Sequence, residues 1–139
     1  MGNPRTITDL NAPIRSIMAS VTITITPSAT LREVTDLLAE NDIGAVPVVG
    51  AKDKSLVGIV GERDVIRAIA EGLDLDAERV GDVMTLSAES IAPTITIGVA
   101  SEKMLQGGIR HLPVVTDDEK LAGIVSIRDL LAAHDSVSR

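Results

Sequence analysis

The sequence predicts an α/β (α+β) fold built from two copies of one unit, and three observations lead there. First, the 139-residue chain repeats itself: IGAVPVVGAKDKSLVGIVGERDV at 43–65 is answered by IRHLPVVTDDEKLAGIVSIRDL at 109–130. Pro47 answers Pro113 and Asp64 answers Asp129, with one residue lost in the loop between them. Upstream, I-R-S-I-M at 14–18 matches V-G-D-V-M at 80–84. Repetition at so long a period means two copies of one structural unit. Second, short Val- and Ile-rich runs alternate with helical patterns in each copy, in the order turn, strand, helix, strand, strand, helix. Third, the 45% hydrophobic content is wholly aliphatic, with no Phe, Trp, Tyr or Cys. The core must therefore be built from Ile, Val, Leu, Ala and Met. A unit of about 60 residues alone would bury only ~60% of its unfolded surface, so the pair is the expected folding unit.

Taken in order, residues 1–12 are polar and aperiodic and read as a loose N-terminal arm. Repeat one is assigned to 13–73, repeat two to 79–134 and a C-terminal tail to 135–139. Ile14 to Met18 suits a short helical turn. T-I-T-I at 22–25 alternates as a half-buried strand does, and Pro27 ends it. Thr30 and Glu33 form the T-x-x-E signature of a helix start, with Leu31, Val34, Leu37 and Leu38 on one face and Gly44 as the breaker. A-V-P-V-V at 45–49 and L-V-G-I-V at 56–60 read as buried strands around a polar turn. Pro47 cannot donate to a ladder, which places its strand at an edge or turns its nitrogen outward. Residues 62–71 read as a helix with Val65, Ile66 and Ile69 inward and Gly72 just past its end. In repeat two, the helix at 96–106 carries Gly98 and should be weaker by ~1 kcal/mol; Gly107 and Gly108 end it.

Composition narrows the function. Without cysteine there are no disulfides, thiolate nucleophiles or soft metal sites, which fits a reducing, cytoplasmic setting. A net charge of −7 argues against nucleic acid as a partner. No apolar run reaches the ~18 residues of a membrane span, and no secretory signal is seen. The opening M-G-N-P-R-T fits a loose acylation pattern, which we read as chance. His111 and His134 are far apart, no metal-ligand spacing occurs, and Asp117, Asp118 and Glu119 read as a solvated turn. No catalytic constellation appears, so the chain is expected not to be an enzyme.

The quoted elements, three in order and twice over, resemble the cystathionine-β-synthase (CBS) domain family, as a tandem pair across residues 13–134. The resemblance implies β-α-β-β-α units packed with pseudo-twofold symmetry, adenine nucleotides bound in clefts between them, and a homodimer. It implies no required cofactor and no metal. An adenine nucleotide would act as regulatory ligand, with AMP first and ADP, ATP or S-adenosylmethionine as alternatives. With no effector domain in the chain, the output is expected to pass to a partner protein. The alternative is a structural, dimerising scaffold with empty clefts.

The family junction is G-h-h-[ST]-x-x-D, where h is apolar. Its Asp would accept bonds from the ribose hydroxyls, and its Ser or Thr would sit at a helix N-terminus that favours phosphate. Repeat two matches in full through Gly123, Ser126 and Asp129, with Arg128 inside. Repeat one has Gly58, Arg63 and Asp64, but Gly61 replaces the hydroxyl residue. The Asp129 site therefore ranks above the Asp64 site. By resemblance, the cleft holding Asp129 would take its adenine-facing wall from the other repeat, from Ala19, Ser20 and Val21 and from Ile43, Gly44 and Ala45, while Arg110 and His111 would point toward the phosphate region shared by the clefts. Ser126 also suits a plain helix N-cap, and both aspartates suit helix-dipole charges.

Overall fold

Each duplicated phrase folds as an antiparallel hairpin that runs directly into a helix. The computed structural model describes residues 9–20, 23–86 and 89–138, with side chains through Ala133. In repeat one, β2 (Ala45–Val49) pairs with β3 (Leu56–Gly61), and α2 (Glu62–Ala70) follows at once. In repeat two, β5 (His111–Val115) pairs with β6 (Leu121–Ser126), and α5 (Ile127–Ser138) follows. The registers correspond: Pro47 faces Ile59 and Pro113 faces Ile124, and each hairpin shifts register one step after the residue following its proline. Both prolines sit on outer strands. Their carbonyls accept from Ile25 N–H (3.1 Å) and Ile91 N–H (3.0 Å). The missing N–H thus lies on the outer side, where among the described residues each strand is met by a single bridging residue, consistent with a proline that cannot donate to a ladder.

The third strand of each sheet comes from the other repeat. The strand order is β2-β3-β4 in one sheet and β1-β6-β5 in the other. Here β1 (Ala19–Ser20) follows the 3-10 turn Ile14–Ser16 that opens repeat one, yet it pairs with β6 of repeat two. Likewise β4 (Thr85–Leu86) follows α3 (Val80–Val83), the opening turn of repeat two, and pairs with β3 of repeat one. The chain accordingly forms a central unit (22–88) and a composite unit (1–21 with 89–139). The sequence repeats and the compact units are cut at different places.

Two glycines explain how the crossing segments come so close. A Cβ on Gly123 would lie 2.7 Å from Ala19 O and 2.8 Å from Met18 Sδ; one on Gly58 would lie 2.7 Å from Thr85 O and 2.9 Å from Met84 Sδ. Both sit opposite the incoming strand (Ser20↔Gly123, Gly58↔Leu86). The glycine that opens the junction pattern is therefore a gap in the sheet face into which the other repeat's opening segment fits.

The cores follow the compact units. In the central unit, Ile25, Leu31, Val34, Leu38, Val46, Val48, Val60 and Val65 gather around Val80, which is fully buried. In the composite unit, Ile91, Ile97, Met104, Leu112, Val114, Val125 and Leu130 gather around fully buried Ile14. All of it is aliphatic or Met, as composition demanded.

Several local expectations change. Residues 9–12 are pinned, not loose: Leu10 O accepts from Gly98 N–H and Ala12 O from Ile97 N–H, both at 2.9 Å. These bonds serve two of the orphan donors at the start of α4 (Ile97–Gly107). The segment 75–78 does the same for α1 (Leu31–Asn41), through Arg32 N–H to Leu75 O and Leu31 N–H to Glu78 O. Gly98 lies under this strap, where a Cβ would stand 3.3 Å from Leu10 O. The expected strand at 22–25 reduces to one parallel bridge, Ile25 to Val48, with Thr22 outside the described residues. Helix α1 ends at Asn41 and not at Gly44, because Asp42 turns left-handed (φ 51°). Gly44 instead gives its carbonyl to Glu62 N–H. Helix α2 buries Val65 and Ala68, while Ile66 (64% exposed) and Ile69 (55%) face outward. Thr30 caps α1 by accepting from Glu33 N–H, Gly72 (φ 79°) follows α2, and Gly108 (φ 61°) ends α4, as read from sequence.

Candidate functional site

At the β6–α5 junction the chain turns from strand to helix at Ser126, and two side chains close the turn. Ser126 Oγ accepts from Asp129 N–H at 3.1 Å. Asp129 Oδ2 accepts from Ser126 N–H at 2.8 Å. This is a reciprocal capping box, with Asp in the place more often held by Glu. It fixes the carboxylate at the first turn of α5 and leaves Oδ1 with no hydrogen bond or ion pair among the described residues. Both residues are partly buried, so the carboxylate is held but reachable.

The β3–α2 junction has the same frame with one bond fewer. Asp64 Oδ2 accepts from Gly61 N–H at 2.8 Å, but glycine offers no hydroxyl to Asp64 N–H. Asp64 Oδ1 faces Arg67 Nη1 at 4.0 Å, on a carboxylate side chain only 13% exposed. The backbone is otherwise alike: Gly44 O accepts from Glu62 N–H (3.0 Å), as Arg110 O accepts from Ile127 N–H (2.8 Å).

Around these junctions the structure groups the candidate residues within each unit. In the composite unit, His111 lies opposite Ser126 across the β5–β6 pair, Arg110 precedes it, and Ala19 and Ser20 flank β6 opposite Ile124 and Gly123. Ala19 and Ser20 thus share a sheet with Ser126 and Asp129. Arg128 is exposed on the first turn of α5 and Arg110 is exposed. In the central unit, Ala45 lies opposite Gly61, Gly44 is hydrogen-bonded to Glu62, and Ile43 is half-buried beside them. Those three residues, expected from sequence in the wall of the Asp129 cleft, are grouped within their own unit beside Asp64. Arg63 is exposed and, with Ile66 and Arg67, lines a shallow depression on α2. Val21 lies outside the described residues. Among the described residues no group of His, Asp and Glu could hold a metal ion, and no helix is long and apolar enough to cross a membrane.

Sequence reasoning missed Thr85 and Leu86, which stand to the Asp64 junction as Ala19 and Ser20 stand to the Asp129 junction. The match of I-R-S-I-M to V-G-D-V-M carried that information, because the residues after each Met then correspond. Arg67 was missed because an ion pair three residues away on a helix has no signature in a motif.

The CBS domain pattern matches residues 14–71 and 80–136. A CBS domain protein of Pyrobaculum aerophilum, solved in complex with AMP, is 31% identical with a TM-score of 0.83, across 91% of this chain and 98% of that one. CBSX2, also solved with AMP, is 25% identical with a TM-score of 0.77, across 92% and 99%. The CBS domain-containing protein YhcV of Bacillus subtilis is 34% identical over 118 residues, 84% of this chain and 81% of that protein. Another curated relative, from Methanopyrus kandleri, is spanned over only 56% of its length. With both repeats matched and the junctions built alike, the chain belongs to the CBS domain family and carries two copies of its domain.

Proposed function

We propose that the chain is a regulatory module that binds an adenine nucleotide at its strand-to-helix junctions and passes the signal to a partner by a change of conformation or of dimer geometry. One observation carries the reading most of the way. The Asp129 carboxylate is locked in place by Ser126 and still has an oxygen to offer, in a chain 31% identical to a CBS protein solved with AMP. A carboxylate so held can accept from a ribose hydroxyl. The N-terminus of α5, with Arg128 in its first turn and Arg110 and His111 across the β5–β6 pair from it, favours a phosphate. Ala19 and Ser20 beside this junction, with Val21 next in the sequence, are the proposed base wall, and Ile43, Gly44 and Ala45 with Gly61, Arg63 and Asp64 form the weaker counterpart. AMP ranks first, because one or two arginines suit a small phosphate charge; ADP, ATP and S-adenosylmethionine follow. No catalytic role is proposed. Ligand binding can shift the module only through differential affinity for two states.

Calorimetric titration of AMP and ATP into wild-type protein and Asp129→Asn tests the site. The asparagine keeps an oxygen for the Ser126 N–H but loses the charge. A charge-assisted bond is worth ~1.5–3 kcal/mol, so affinity should fall about tenfold or more. Unchanged affinity refutes the assignment.

A scaffolding homodimer without nucleotide is the second reading, favoured by the exposed Ile66 and Ile69 on α2 and Leu131 (63% exposed) on α5. It predicts self-association by light scattering together with no thermal shift in any nucleotide.

A further inference from the structure

We propose that Arg67 weakens the Asp64 junction as a nucleotide site by placing its charge beside the carboxylate oxygen that a ribose would use, and so helps decide which junction this chain employs. The inference rests on the adenine-nucleotide reading and adds to it a residue that sets the inequality of the two sites.

The two junctions differ in what stands beside the aspartate's second oxygen. A carboxylate has two oxygens with which to accept. At both junctions Oδ2 takes the N–H of the residue that ends the strand, Gly61 or Ser126, at 2.8 Å. What remains for a ligand is chiefly Oδ1. At Asp129 it meets no cation among the described residues, and the residue three places on is Ala132. At Asp64 the residue three places on is Arg67, whose Nη1 stands 4.0 Å from Oδ1. At that distance the guanidinium makes no hydrogen bond, but its charge stands beside the oxygen and competes with an approaching hydroxyl for it. The arginine side chain is 69% exposed, so the pair contributes little to stability. Its exposure also leaves it free to move aside, which makes the effect a graded handicap and not a block. The loss of the hydroxyl at Gly61 and the presence of Arg67 act in the same direction.

An opposing role is conceivable for the same side chain: an arginine beside a nucleotide site could bind the phosphate. The two roles predict opposite signs, and that makes the experiment decisive. AMP is titrated calorimetrically into the full chain bearing Asp129→Asn, which weakens the Asp129 junction so that the Asp64 junction carries more of the binding, with and without Arg67→Gln or Arg67→Lys. Separately, Ala132→Arg is made in the otherwise wild-type chain. Positions 67 and 132 are both exposed, so the fold should tolerate these changes. Arg67→Gln should tighten AMP at the Asp64 junction about two- to fivefold, the range of an exposed ion pair. Arg67→Lys, which keeps the charge, should leave it near the starting value. Ala132→Arg should weaken the Asp129 junction by a similar factor. Arg67→Gln with unchanged or weaker binding overturns the proposal. If wild type binds AMP and Asp129→Asn reduces it, such a result condemns the Arg67 role alone. If wild type binds no AMP, both the role and the reading beneath it fall.

Discussion

Replacing Gly123 with alanine tests whether the opening segment of repeat one truly packs into the sheet of repeat two. The added Cβ would fall 2.7 Å from Ala19 O and 2.8 Å from Met18 Sδ. Ordinary contact begins near 3.4 Å, so each neighbour must retreat by more than half an ångström. Met18 Sδ can do so, as part of a long side chain with soft torsions. Ala19 O cannot move alone, because it belongs to β1, which is paired with β6 at Ala19↔Ile124 and Ser20↔Gly123. The substitution therefore forces β1 away from β6. Overpacking of this kind costs about 1–3 kcal/mol, with roughly 4 °C of melting temperature per kcal/mol in a domain near this size. Thermal unfolding followed by circular dichroism should show Gly123→Ala melting about 4–12 °C below wild type, with Gly58→Ala close to it. As a control, Gly72→Ala has nothing within 4 Å of its Cβ but a φ of +79°, so its cost of ~1 kcal/mol is purely conformational. A Gly123→Ala protein that melts within a degree of wild type would falsify the crossing of the opening segments.

Three further substitutions probe other parts of the fold. Ile14→Ala removes a fully buried side chain from the composite core and should cost about 2–5 kcal/mol by denaturant unfolding; a cost below ~1 kcal/mol contradicts the placement of the first turn. Asp42→Gly relieves a left-handed residue (φ 51°) at the end of α1, where α4 already uses Gly108. It should stabilise by about 1 kcal/mol in the same assay. The exposed pair of Arg32 and Asp76, 2.6 Å apart, predicts a pH effect. The hydrogen bond from Arg32 holds the Asp76 carboxyl below its ordinary value. Its contribution is present above the unfolded value of about pH 4 and is lost as pH falls through the lowered one. The stability gap between wild type and Asp76→Asn should therefore be largest above about pH 4 and shrink as pH falls below it; a gap that widens toward low pH contradicts the pairing.

Much of this fold was legible because duplication and periodicity speak to local structure. Hairpins at 45–61 and 111–126 followed from short Val- and Ile-rich runs, and the proline rule put β2 and β5 outside. What the sequence hid was the partner of each segment. Nothing in I-R-S-I-M says that Ile14 lies in a core with Leu112 and not with Val46, because burial constrains apolarity and not identity of neighbours. Ile66 and Ile69 were misread for a related reason. The inward stripe of α2 is carried by Val65 and Ala68, and small Ala68 left larger side chains at 66 and 69 to suggest the wrong face. The junction motif was visible letter by letter. Its inner bonding was not, since a Ser and an Asp three apart can serve a helix start, a ligand, or both.

That ambiguity can be separated by experiment, because this chain contains its own control. Repeat one already runs its junction with glycine at the cap position, and α2 still forms from Glu62 to Ala70. Exchanging Ser for Gly at an N-cap costs only a few tenths of a kcal/mol, whereas exchanging it for Ala costs about 0.5–2. Ser126→Gly thus removes the hydroxyl from the Asp129 junction with almost no penalty to the fold, while the Asp129 carboxylate keeps its bond to the N–H of residue 126, as Asp64 keeps its own to Gly61. The melting temperature should move by less than about 2 °C. Any larger change in AMP affinity then belongs to the hydroxyl as a ligand group and not to the helix it caps. If Ser126→Gly leaves affinity intact while Asp129→Asn lowers it, Ser126 acts by holding the carboxylate, and Asp129 alone meets the nucleotide. If both lower it, the hydroxyl and the carboxylate are two contacts of one site, and the glycine at 61 is by itself a sufficient reason for the Asp64 junction to bind less well.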